Sequence, residues 1–131
     1  MVAVNAEVQA NLVQGESLTD RLKTAFLDYF FPERPARMLP LYEQHKQWDK
    51  AAECAQKLRQ YERAILNYDR AGTHLAYQEA LHLTKWRGDY QKALYFAQKD
   101  KDLVEEGYIQ AHLGRPEETL RCWQLIYQGQ F

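Results

Sequence analysis

One order of side chains recurs along the middle of the chain: a large apolar residue, two polar residues, then a small one. It reads Trp48-Asp49-Lys50-Ala51, Tyr61-Glu62-Arg63-Ala64, Tyr77-Gln78-Glu79-Ala80 and Tyr90-Gln91-Lys92-Ala93, at steps of 13, 16 and 13 residues. Steps of 13 beyond these give weaker frames at 22–25, 35–38, 103–106 and 116–119, where Met38, Glu106 and Thr119 break the small-residue rule. A period near 13 has a simple geometry. Ten residues of helix are ~15 Å long, and about three more turn the chain back. Each frame then marks one short helix, and two frames make an antiparallel hairpin. The small residue, one turn after the large one, lets a neighbouring helix approach closely. Such units bury their apolar faces only by stacking.

The punctuation agrees with this period. Gly72, Gly88 and Gly114 fall between frames, where a helix C-cap favours positive φ. Asp89 can cap the helix of Tyr90, Pro116 suits a first helical turn, and Ser17-Leu18-Thr19-Asp20 resembles a capping box. The expected helices are near 17–30, 35–46, 48–58, 60–71, 74–86, 89–99, 101–112 and 116–128. Because Pro32, Pro35 and Pro40 crowd one region, the second should be broken or start late, near Pro40. The whole of 1–131 reads as a single helical-repeat domain. Residues 1–16 are an extra capping helix or weakly structured, 17–46 hold the N-terminal helices, and 47–128 hold the repeat hairpins.

Composition strengthens the helical reading. Five Val, three Ile and five Thr stand against 15 Ala, 16 Leu and 13 Gln, which is poor strand material and good helix material. The expected fold class is therefore all-α: stacked antiparallel helical hairpins, with about seven or eight short helices.

Gly88-Asp89-Tyr90-Gln91-Lys92-Ala93-Leu94-Tyr95-Phe96-Ala97 resembles the turn and second helix of a tetratricopeptide unit. The stretch from Ala111 to Leu120 is similar, with Thr119 where Ala is usual, and Gln60-Tyr61-Glu62-Arg63-Ala64-Ile65 is a looser match. The likeness covers roughly 40–128. It departs from the family in period, since Gly88 to Gly114 is 26 residues where the family repeats at 34, and in lacking an intact Trp-x-x-Leu-Gly opening. The short Tyr- and Ala-rich hairpins are also similar to the α-solenoid segments of vesicle-coat and intraflagellar-transport subunits. Both resemblances imply a right-handed helical-repeat scaffold that binds proteins.

Charge and chemistry narrow the function. Net charge is −1, but residues 21–99 carry fourteen bases and nine acids while both ends are acidic. Lys46, Lys50, Lys57, Arg59, Arg63 and Arg70 form a basic stripe, interleaved with Asp49, Glu53, Glu62 and Asp69. Interleaving favours i, i+4 surface pairs over a phosphate track, so nucleic acid is disfavoured as a partner. Ser17 is the only serine, the six glycines are scattered, and no tight metal-ligand spacing accompanies His45, His74, His82 and His112. Glu105-Glu106 and Glu117-Glu118 are sequence neighbours, which point about 100° apart on a helix and do not form an acid/base pair. No enzymatic activity, cofactor or metal is expected. Residues 1–16 lack a secretory leader, no stretch approaches a membrane span, and Cys54 and Cys122 suit free core thiols, so a cytoplasmic location is expected.

The expected function is a protein-interaction scaffold that binds a peptide or partner protein, preferentially acidic, on one face of the array. By family analogy the first helices of the hairpins 48–71, 74–99 and 101–128 line that face. The residues placed there are Lys50, Lys57, His74, Gln78, His82, Lys85 and Gln110. The alternative is a homo-oligomer, or a piece of a larger coat-like solenoid, joined through apolar ends. Phe26-Leu27-Asp28-Tyr29-Phe30-Phe31 and the series Trp123, Tyr127, Phe131 supply those ends.

Overall fold

A computed structural model describes residues 17–129 and shows eight α-helices and no strand among them. They are α1 (Leu18–Phe30), α2 (Pro35–Gln44), α3 (Trp48–Lys57), α4 (Tyr61–Ala71), α5 (His74–Trp86), α6 (Tyr90–Lys99), α7 (Leu103–His112) and α8 (Pro116–Tyr127). The fold is all-α, as expected. The expectations for residues 1–16 and for Phe131 lie outside the described residues.

The 13-residue beat is visible in the backbone. From α2 to α8 the helices begin at 35, 48, 61, 74, 90, 103 and 116. Five of the six links are the same turn. In each, one residue takes left-handed φ: Lys46 (57°), Arg59 (60°), Gly88 (77°), Lys101 (57°) and Gly114 (71°). The next residue then donates to a carbonyl five positions back: Gln47 to Tyr42, Gln60 to Ala55, Asp89 to Thr84, Asp102 to Ala97 and Arg115 to Gln110, at 2.8–3.0 Å. A second bond runs from the left-handed residue to the carbonyl three positions back, which completes a Schellman motif each time. The α4–α5 link is different. Gly72 donates a single bond to the Tyr68 carbonyl, and Thr73 caps α5 by accepting from the Ala76 amide.

The step of 16 has its cause in α5, which is 13 residues long where α3, α6 and α7 are 10. Trp48, Tyr61 and Tyr90 open their helices, whereas Tyr77 stands one turn inside α5. Tyr77 is therefore equivalent to the others in face but not in position. The alanines of the four strong frames, Ala51, Ala64, Ala80 and Ala93, are all fully buried. In α7 the small residue has moved by one, from Glu106 to Gly107, where a Cβ would meet the Cys122 Cβ at 3.1 Å. That spacing is tighter than ordinary van der Waals contact, so Gly107 is what lets α8 lie so close to α7.

Other local expectations have mixed outcomes. Ser17 accepts from the Asp20 amide and Asp89 from the Lys92 amide, and Pro116 opens α8. The second helix, however, is neither broken nor late, because α2 runs from Pro35 through Pro40 without interruption. Pro35 sits at the first position, where no amide bond is needed. Pro40 and Ala36 are both exposed, so the one carbonyl deprived of its donor faces water.

Each helix from α2 onward packs against its neighbours in sequence. Polar bridges then join α2 to α4, α4 to α6 and α5 to α7. Glu43 of α2 accepts from Arg63 and from Asn67 Nδ2 (2.9 Å) of α4. Arg63's hydrogen bonds hold the Glu43 carboxyl below its ordinary range. Lys92 of α6 meets Glu62 of α4 at 3.1 Å, and the Tyr95 hydroxyl donates to Asp69. Lys85 of α5 meets Glu105 of α7 at 2.7 Å. Since Glu62 and Lys92 both lie in first turns, α4 and α6 run side by side with their starts level. The expected i, i+4 pairs along the basic stripe are not formed; its ion pairs connect different helices. The N-terminal α1 stands apart. It has no buried residue and is tied to the rest by Asp28, which Arg34 Nε reaches at 2.9 Å.

Lys46, Arg59 and Lys101 pay a left-handed backbone cost that glycine would not. Lys101→Gly should therefore raise unfolding free energy by about 0.5–1 kcal/mol. Gly88→Ala should lower it by about 1 kcal/mol, through backbone strain alone, since a Cβ there meets nothing within 4 Å. Denaturant unfolding checks both; opposite signs would contradict the turn geometry.

Candidate functional site

α3 and α5 leave a trough between them. Asp49, Glu53 and Gln56 stand at i, i+4 and i+7 on α3, and Leu75, Glu79, His82 and Trp86 at i, i+4, i+7 and i+11 on α5. These spacings put each set on one helix face. The main hollow is about 720 Å³ and is lined by Asp49, Glu53, Gln56, Leu75 and Glu79 together with Lys57, Thr73, Ala76 and Tyr68. A second hollow of about 360 Å³ continues it past Gln56 and Glu79 to Tyr61, Leu83 and Trp86. From the first hollow to the second the lining advances from 49–56 to 56 on α3 and from 75–79 to 79–86 on α5, so the two helices run in the same direction. Leu75 is 76% exposed and Trp86 70% exposed, and they stand at opposite ends of the trough. The Trp86 ring packs edge-on against Tyr61 at 5.4 Å.

The floor is built of buried side chains and the rim is acidic. The Tyr68 hydroxyl donates to Gln56 Oε1 at 2.9 Å beneath the surface. Burial, with Glu79 and Glu53 adding to it, pushes the Tyr68 phenol up to about 12. Asp49, Glu53 and Glu79 are exposed, and no cation pairs with any of them among the described residues.

The seven residues expected to bind a partner do not converge. Lys57 and His82 line the trough. Lys50 turns the other way, its Nζ 5.8 Å from the centre of the Tyr42 ring. Three others hold α5 to the α6–α7 region. His74 Nδ1 is 2.6 Å from Asp100 Oδ1, Gln78 Nε2 donates to Asp100 Oδ2 (2.5 Å) and Asp102 Oδ2 (3.1 Å), and Lys85 bonds Glu105. Gln110 is 3% exposed and receives Arg115 at 3.4 Å, so no docking surface reaches it. On α5 the expectation chose 74, 78 and 85, while the trough uses 75, 79 and 86. One residue is 100° of rotation, enough to exchange one side of the helix for another. The signal for the trough was present as the i, i+4, i+7 series on α3 and α5.

The remaining chemistry has structural partners. Glu105 faces Lys85 and Glu106 faces Gln98, so the two carboxylates diverge. Cys54 and Cys122 are buried and unbridged, and burial pushes both thiols up. No group of His, Cys, Asp or Glu among the described residues is arranged to hold a metal ion, and none of the described helices is long and apolar enough to cross a membrane. Comparison with protein-family models, curated proteins and solved structures gives no match to this chain.

The Tyr68 environment has a pH signature. The folded chain keeps the phenolic proton to about 12, whereas the unfolded chain loses it near 10. Stability is therefore unaffected by this group below pH 10 and falls as pH rises through the window, by roughly 2–3 kcal/mol in all. Unfolding free energies at both ends of the window should show this loss in wild type and less of it in Tyr68→Phe. Equal losses in the two proteins would mean that Tyr68 is not desolvated.

Proposed function

We propose that this chain is a non-catalytic protein-interaction module, a short-period helical-repeat array of the tetratricopeptide-like solenoid kind. In this reading the α3–α5 trough holds a segment of a partner protein. The carrying observation is the trough itself: a continuous hollow between two parallel helix faces with large apolar side chains exposed at both ends. Leu75 and Trp86 are eleven residues apart on α5, roughly 16 Å, enough for about five residues of extended chain. The recurrence of one turn at five links supports the repeat architecture. The two buried, unbridged thiols fit a reducing, cytoplasmic setting.

Exposed aromatic anchors dominate such contacts when a partner covers them. A partner of the full chain should therefore bind Trp86→Ala at least tenfold more weakly, with circular dichroism unchanged. Unchanged affinity would place docking elsewhere.

A second reading is self-assembly through apolar ends. It is favoured by α1, where Leu22, Phe26 and Phe30 are all exposed, and by Tyr127, which is 94% exposed at the far end. Sedimentation across a concentration series tests it. Mass should rise with concentration and fall back in Phe26→Asp; a constant monomer mass would exclude it.

A further inference from the structure

We infer that the segment taken by the α3–α5 trough is basic, carrying lysine or arginine side chains toward its rim. This rests on the docking reading above and reverses the acidic partner expected from the basic stripe. Three carboxylates, Asp49, Glu53 and Glu79, line the trough, against one cationic side chain, Lys57. Three other bases of the stripe are engaged away from the trough. Lys50 lies over Tyr42, Arg70 over the Trp48 ring at 5.0 Å, and Arg63 on Glu43.

The contrast with other carboxylates is informative. Glu43 has Arg63, Glu62 has Arg87 and Lys92, Glu105 has Lys85, and Asp69 accepts from Tyr95. Those groups are used to join one helix to the next but one. The three trough carboxylates pair with no cation among the described residues. They flank a floor of the buried side chains Ala76, Leu83 and Tyr68, where fields from the rim are screened less than on an open surface. A bound segment that places cationic side chains on the rim and an apolar one against Trp86 satisfies both features. A polyanion or acidic peptide meets like charge at Asp49, Glu53 and Glu79.

The test is selection from a random-peptide display library on the full chain, followed by affinity measurement of the recovered peptides. Peptides that weaken at least tenfold on Trp86→Ala are trough binders. The inference expects these to be net positive, to weaken at least fivefold on Glu53→Gln with Glu79→Gln, and to weaken further as salt rises. The neutral isosteric pair is used because both side chains are exposed and without partners, so folding is not at stake. Trough binders that are neutral or acidic, or that ignore the double variant, would overturn the charge inference and leave the docking reading standing. If no recovered peptide responds to Trp86→Ala, the docking reading fails and the inference with it.

Discussion

Ten residues of helix followed by one left-handed residue and two closing amide–carbonyl bonds leave the chain almost no freedom in where the next helix begins. Five of the six links from α2 to α8 use this turn. Because the turn is the same each time, the rotational phase of each helix is the same too. Ala51, Ala64 and Ala93 then fall at one inward position, and alternate helices lie level enough for Glu62 to meet Lys92. The trough lies between the alternate helices α3 and α5, across the one link that departs from this turn. α5 is longer than α3 by one turn, and the extra turn carries Trp86 past the end of its neighbour.

Much of this was legible in the residues. The period, eight helical spans and most caps could be read because a large–polar–polar–small order and single glycines report directly on helix phase and turn conformation. The limits were also physical. Lys46, Arg59 and Lys101 carry no glycine signature, although the surrounding bonds hold them left-handed. Tyr77 matched the frame because a shift of three residues keeps a side chain near the same face, which hid the lengthening of α5. Pro40 looked like a helix breaker because the sequence could not show that the orphaned Ala36 carbonyl would face solvent.

The trough was legible only in part. Of the residues the sequence placed on one face of α5, His82 lines it, whereas His74, Gln78 and Lys85, on the neighbouring side, bind α5 to the α6–α7 region. Choosing between neighbouring faces needs the position of the third helix, which one helix's pattern does not contain. The sign of the charge changed for a related reason. Counting bases and acids along the stripe gave a positive surface, whereas tertiary bridges and ring contacts withdraw Arg63, Arg70 and Lys50 and leave Asp49, Glu53 and Glu79 facing the trough.

Everything above depends on the repeated turn, and backbone dihedral angles from solution NMR chemical shifts test it most directly. Positive φ at Lys46, Arg59 and Lys101, each flanked by helix, is the result this account predicts. Helical or extended φ at those three residues would contradict it, because the helices would then lose their common phase.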